Sequence, residues 1–175
     1  MLETLQARLR YFDGHSDTLG LFADGEFLRR IAGEMAAPFA GSAVAKVAGI
    51  EARGFVLAPL VAMELGAGFI AIRKGGDDAG IHPGPKIELA AGPDWRGRTE
   101  VLALQRHVVD AGDRVLVVDD WAETGVKALT ARQLVERCGG VYAGLSLLVD
   151  QLPDDVRDAL GPVAAIALAE QVRPR

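Results

Sequence analysis

Val115-Leu116-Val117-Val118-Asp119-Asp120-Trp121-Ala122-Glu123-Thr124-Gly125 is the stretch on which the reading of this 175-residue chain turns. Its first four residues are apolar and mostly β-branched, which predicts a buried strand over 114–118. That strand delivers two adjacent carboxylates to a sheet edge. A short loop with a Thr-Gly pair then opens a helix over 125–137, closed by Cys138-Gly139-Gly140. Backbone N–H groups at a helix start attract phosphate, and the helix dipole adds to the attraction. Carboxylates are poor phosphate ligands, so Asp119 and Asp120 suit sugar hydroxyls beside the phosphate, or the organising of a divalent cation. The segment fits a phosphorylated sugar. A receiver domain also ends its first strand in paired acids, but most of that domain follows the pair, and here only 55 residues do (175 less 120). The remaining alternative is an acidic turn that merely caps a helix.

The same rhythm extends outward. Residues 44–50 read as a buried strand ending in Glu51-Ala52-Arg53-Gly54, followed by a helix to about 65 and a strand at 69–72 that ends in Arg73-Lys74. Residues 141–149 and 163–169 read as further strands, with a short helix over 152–160 between them. Upstream, Leu2, Leu5 and Leu9 predict a helix over 2–11, and Asp24 caps a second one reaching about 37. Strands alternating with helices, the middle strands apolar throughout, indicate an α/β fold with a doubly wound, mostly parallel sheet. Ligands of such sheets bind beyond the carboxyl ends of the strands, where the Arg53 turn and the acid pair fall. Residues 75–98 carry so many Gly and Pro that they predict a long flexible loop, with a strand over 100–105 inside or after it.

Composition narrows the class. Half the residues are hydrophobic and a quarter are charged, so a full core is expected and dominant disorder is excluded. A net charge of −5 argues against a broad nucleic-acid surface. Cys138 is the one cysteine, so no disulfide framework or cysteine metal site forms within the chain; it reads as a small buried residue. His82 and His107 have no partners at metal-ligand spacing. No apolar run approaches a membrane span of about 20 residues, and the N-terminus is too polar for a signal peptide. The expectation is one soluble cytoplasmic domain over 1–175.

The acid-pair segment resembles the phosphoribosyl pyrophosphate (PRPP) motif of type I phosphoribosyltransferases. Gly49-Ile50-Glu51-Ala52-Arg53-Gly54-Phe55 is similar to the pyrophosphate loop of the adenine phosphoribosyltransferases, and Phe69-Ile70-Ala71-Ile72-Arg73-Lys74 to their next strand. The resemblance runs in order from about residue 21 to 149. It implies the type I phosphoribosyltransferase fold, with a small N-terminal hood over about 1–40 and a flexible loop at 75–98. It implies that Asp119 and Asp120 bind the ribose hydroxyls, and that Glu123, Thr124, Gly125, Val126 and Lys127 wrap the 5′-phosphate, largely by backbone amides. It further implies that Ala52, Arg53 and Gly54 hold pyrophosphate with help from Arg73 or Lys74, and that the Glu51–Ala52 peptide is cis. Mg2+ would bridge sugar hydroxyls and pyrophosphate near Asp119 and Asp120 rather than sit on protein ligands. A homodimer is the family expectation.

Several positions depart from the pattern. Val126 and Lys127 replace a usual glycine and threonine; Val126 narrows the loop, and Lys127 points either to the phosphate or to solvent. Glu123 occupies a position that is small in the adenine enzymes and acidic in the hypoxanthine-guanine enzymes, where it faces the imidazole side of the purine. It is the candidate general acid or base, with a solvated loop acid as the alternative. Ala90 and Ala91 stand where the adenine family's catalytic loop has Glu and Tyr, which weakens adenine as acceptor. Arg96 and Arg98 either close over pyrophosphate or lie on the surface. Trp121 replaces an aliphatic residue beneath the base, and His15 aligns with a hood phenylalanine, so the two are candidates to sandwich a flat heterocycle; the alternatives are a core Trp and a turn His. The resulting expectation is a Mg2+-dependent phosphoribosyltransferase of nucleotide salvage, moving 5-phosphoribosyl from PRPP to a purine-like base with release of pyrophosphate. The other class is a PRPP-binding regulatory or non-catalytic relative, which Ala90 and Val126 favour.

Overall fold

The computed structural model describes residues 1–76, 84–94 and 96–173. Its centre is β3 (Lys46–Ile50), flanked by β4 (Gly68–Lys74) on one side and β7 (Arg114–Ala122) on the other, both parallel to it. Beyond β7 lie β8 (Val141–Asp150) and β9 (Val163–Leu168), also parallel. Beyond β4 lie β6 (Val101–Gln105) and β5 (Lys86–Ala90), both antiparallel to their neighbours. The order β5-β6-β4-β3-β7-β8-β9 is the expected mostly parallel sheet.

Each face of the sheet carries its own core. The crossover helix α4 (Gly54–Leu65) and helix α3 (Gly25–Ala36) cover one face, where Phe27, Ile31, Met35, Leu57 and Val61 pack on Val47, Leu116 and Val118. Helix α5 (Val126–Arg137) covers the other, setting Ala131, Leu134 and Val135 against Val115, Val117 and Leu145. The chain leaves β3 toward β4 and leaves β7 toward β8, in opposite directions. The winding therefore reverses between β3 and β7, and the crevice at their carboxyl ends is the ligand position of such folds.

Three expectations change. First, β7 does not stop at Val118: parallel pairing with β8 carries it through Trp121 (opposite Val149) to Ala122 (opposite Asp150), so the acid pair lies within the strand. Second, the 75–98 segment is not a plain loop. Lys86–Ala90 pairs along β6, with Ile87 and Leu89 turned inward in strand alternation, and Asp94 folds a turn by accepting the amides of Arg96 and Arg98. Residues 77–83, with His82, and Trp95 lie outside the described residues. Third, the 1–40 region is not a separate hood over its whole length. Helix α3 belongs to the main core, with Ser146 Oγ donating to Met35 O at 2.8 Å. A hairpin, β1 (Arg10–Phe12) and β2 (His15–Asp17), leads into the short helix α2 (Thr18–Leu21), which Asp17 caps and which meets Asp120 of β7 through Thr18. No helix of the described residues is long and apolar enough to cross a membrane. Cys138 is half-buried at the end of α5, where burial pushes its thiol pKa up.

Candidate active site

Two turns meet at the crevice. The first joins β3 to α4 through Glu51-Ala52-Arg53, and its Glu51–Ala52 peptide is cis. A side chain at Gly54 would place its Cβ 2.7 Å from Val118 O and 3.3 Å from Asp119 Oδ1, so only glycine lets this turn lie against β7. Asp119 thus sits at the first residue of α4. Its Oδ1 also accepts the Asp120 amide at 2.9 Å. Desolvation, then the neighbouring Asp120 charge, hold the Asp119 carboxyl well above the usual carboxylate range.

Asp120 is held more firmly than the sequence indicated. Its side chain is 2% exposed; Oδ2 lies 3.0 Å from Arg53 Nε and accepts from Thr18 Oγ1 at 2.6 Å. Arg53 in turn donates from Nη1 to Thr18 Oγ1 at 3.1 Å. The guanidinium that the sequence assigns to pyrophosphate is therefore aimed by Asp120 and by Thr18, a buried residue that sequence reasoning missed. Arg73 and Lys74 face carboxylates: Glu51 Oε2 lies 3.4 Å from Arg73 Nε and accepts the Lys74 amide at 3.0 Å.

The second turn joins β7 to α5 through Glu123-Thr124-Gly125. Gly125 has φ +72°, and a Cβ there would come within 2.4 Å of Val156 Cγ1 and 2.8 Å of Leu152 Cδ2. No side chain of the described residues caps α5. The first amides of α5 have no intrahelical carbonyl partner, as at any helix start, and a helix start of this kind suits an anion. Val126 packs beside Gly92, where an added Cβ would lie 3.3 Å from its Cγ1.

Lys127 is held by an ion pair that the sequence did not announce. Its Nζ lies 2.6 Å from Glu100 Oε2, while Lys74 Nζ lies 3.0 Å from Glu100 Oε1. Glu100 thus ties the phosphate turn to β4, and nothing in its sequence context announced it. The Lys127 ammonium, and to a smaller extent that of Lys74, lowers the Glu100 pKa against the opposing effect of burial. A depressed carboxyl stabilises the fold above its unfolded value, and that stability is lost as pH falls through the folded value. Glu100→Gln is therefore expected to melt about 2–4 °C lower at pH 7, for a loss of about 1 kcal/mol. Calorimetry across an acid series should show the gap closing as pH falls through the lowered value; a constant gap would mean packing, not charge.

Glu123 and Trp121 are joined through a residue that the sequence reading passed over. Gln151 Oε1 accepts from Trp121 Nε1 at 3.0 Å, and Gln151 Nε2 donates to Glu123 Oε1 at 3.1 Å. Gln151 directly follows β8, at the strand end where the ligand rule directs attention, and that was its available signal. The Trp121 indole packs against the core on the α3/α4 side of the sheet and is half-buried. His15 is exposed on β2, opposite Phe12. Arg96 and Arg98 are exposed. Two surface depressions, one near Tyr11 and Arg173 and one near Arg132 and Tyr142, lie away from the crevice and hold none of the candidate residues.

No protein-family model matches the chain. Among curated proteins, the adenine phosphoribosyltransferase of Cereibacter sphaeroides (strain ATCC 17025) is 38% identical over 138 residues, 79% of this chain and 74% of that protein. That of Thermobifida fusca is 37% identical over 153 residues, covering 87% and 84%. Among solved structures, the adenine phosphoribosyltransferase of Rhodothermus marinus superposes with TM-score 0.79 at 31% identity, over 95% of this chain and 97% of that one. The Thermoanaerobacter pseudethanolicus enzyme superposes with TM-score 0.82 at 25% identity, over 96% and 99%. With two helix-opening turns meeting at an acid pair on the reversal point of the sheet, and these likenesses over most of its length, the chain belongs to the adenine phosphoribosyltransferase family of type I phosphoribosyltransferases, enzymes that move phosphoribosyl from PRPP to a purine-like base with release of pyrophosphate.

Proposed function

We propose that the crevice between β3 and β7 is the PRPP site, and that the acceptor is a purine whose ring proton passes to Glu123. The observation that carries this is the flanking of Asp119 by two helix-opening turns, one bearing Arg53 and the other the open amides of α5. In the reaction, the bond from the anomeric carbon to the pyrophosphate oxygen breaks and the oxygen leaves with the electron pair. A ring nitrogen of the base supplies the pair for the new C–N bond. The proton on the base then moves to the Glu123 carboxylate. The α5 amides fix the 5′-phosphate, and Asp119 accepts from the ribose hydroxyls. Arg53 neutralises the leaving group with fork-shaped donors suited to phosphate oxygens. Trp121, with His15 on the hairpin side, offers the base a flat surface.

Among the described residues, no three metal-ligating side chains come together. Mg2+ on this reading is held chiefly by PRPP oxygens beside Asp119, in keeping with its preference for phosphate oxygens and retained waters. It would supply further neutralisation of pyrophosphate. The protein acts as a homodimer on the same reading.

The test is a spectrophotometric screen of purine bases with PRPP, run with Mg2+ and again with EDTA. The expected result is conversion of one purine to its monophosphate with one pyrophosphate per turnover, abolished by EDTA. PRPP binding without turnover on any base would overturn the proposal in favour of a non-catalytic PRPP-binding relative.

A further inference from the structure

We infer that Gln151 is a positioning residue that fixes the Glu123 carboxylate and the Trp121 indole as one unit, and so sets which edge of the base the protein accepts. The inference rests on the transfer reading above. Gln151 straddles the point where β7 becomes the phosphate turn. Its backbone amide donates to Ala122 O at 2.9 Å, while its side chain reaches back to Trp121 and forward to Glu123. One residue therefore holds three in succession, 121, 122 and 123. Gln151 is itself anchored on both sides. The preceding Asp150 is buried, accepts the Leu152 amide at 2.8 Å and lies 2.6 Å from Arg157 Nη1.

The chemistry of the partners leaves the amide one orientation. An indole N–H only donates and an ionised carboxylate only accepts, so the amide oxygen must face Trp121 and the amide nitrogen must face Glu123. Reversing the amide would set two donors against each other at one end and two acceptors at the other. Glu123 is thereby held as an acceptor with Oε1 occupied. Its Oε2 receives no hydrogen bond among the described residues. The ligand that completes this arrangement carries an N–H at the edge facing Glu123 and a flat face against Trp121. That describes a purine protonated on the imidazole nitrogen that does not attack. A base presenting a bare lone pair there would leave two acceptors opposed, and buried polar groups left unpaired discriminate strongly. The clamp also accounts for two departures from the family pattern at once, since Trp121 and Glu123 are the two ends of one hydrogen-bonded unit.

The experiment is a double-mutant cycle of Gln151→Leu and Glu123→Ala, made in a Trp95→Phe protein so that Trp121 is the one indole left of two. Gln151→Leu is expected to lower kcat/KM for the base about tenfold, as loss of one hydrogen bond to a charged group does, and to leave KM for PRPP within about twofold. In the Glu123→Ala background the same change should have less than about a twofold effect, because Gln151 acts through the carboxylate. Trp121 emission should move to shorter wavelength once its hydrogen-bond acceptor is gone. Effects of Gln151→Leu that simply multiply with Glu123→Ala, or an unmoved emission band, would overturn the inference. If the parent protein converts no base, the transfer reading fails instead. The same cycle read as affinity for AMP, by quenching of Trp121, then decides Gln151 separately.

Discussion

Asp119→Asn is expected to melt higher than the parent protein while binding PRPP about a hundredfold more weakly. The two effects share one cause. The Asp119 carboxylate is charged in a crevice that disfavours charge, beside a second acid, and its pKa is held high by both. Asparagine has nearly the same shape and keeps an Oδ1 to accept the Asp120 amide, so the internal hydrogen bond survives. What disappears is the charge, and relief of about 1 kcal/mol raises Tm by about 2–4 °C in a chain of this size. What the variant loses is an anionic acceptor for the sugar. A hydrogen bond to a charged group contributes about 1.5–3 kcal/mol, and one or two of them give the hundredfold. The pH dependence has a definite sign. Because the folded pKa lies above the unfolded one, the destabilisation from Asp119 is complete above the folded value and fades as pH falls through it toward the ordinary carboxylate range. The gap in Tm between variant and parent should therefore close on acidification, while PRPP affinity of the parent declines over the same interval. Titration calorimetry showing equal affinities would remove Asp119 from the sugar site. A variant that melts lower would show that the carboxylate is better satisfied than its surroundings imply. The single replacement is the informative one. Substituting Asp120 as well, which the sequence treats as an equal partner, would also strip Arg53 and Thr18 of their common acceptor.

The parts of the molecule legible in the sequence are those whose signal is local. The Val115–Val118 run, the Thr-Gly opening of α5 and the Arg53 turn are each contained in a dozen residues, and each lies where it was expected. The end of β7 was not legible, because Asp119 and Asp120 interrupt the apolar run while pairing with β8 continues. Strand β5 had its alternation in Lys86-Ile87-Glu88-Leu89-Ala90, but the surrounding glycines and prolines outweighed five residues of period two. The partners of the site residues were the hardest to see. Thr18 meets Asp120 across 102 positions and Trp121 meets Gln151 across 30, distances that no periodicity spans. For the same reason the pairing of Lys127 with Glu100, 27 positions away, is not legible in the sequence.

Removing the guanidinium by Arg53→Ala should weaken pyrophosphate binding about a hundredfold or more and cost several degrees of Tm, with a smaller loss on a nucleoside monophosphate. The binding loss follows from placement. Arg53 caps the start of α4, where amides and dipole already favour an anion, and its fork-shaped donors suit phosphate oxygens better than a point charge does. The stability loss follows from Asp120. That carboxylate is 2% exposed and would remain buried after its cationic partner had gone. Breaking a fully buried pair costs about 3–5 kcal/mol; with Arg53 41% exposed the appropriate figure is about 2 kcal/mol, or about 4–8 °C of Tm. Arg53→Lys separates the two roles. It retains a charge for pyrophosphate, but one ammonium cannot reproduce the contacts that Nε makes with Asp120 and Nη1 with Thr18, so it should recover more of the pyrophosphate affinity than of the Tm. A monophosphate has no second phosphoryl group for Arg53 to meet, so its affinity should fall only as far as the displaced Asp120 disturbs the neighbouring sugar. Calorimetric titrations of pyrophosphate and AMP against the parent and both variants measure all of this. Equal losses for the two ligands would place Arg53 at the sugar rather than at the leaving group.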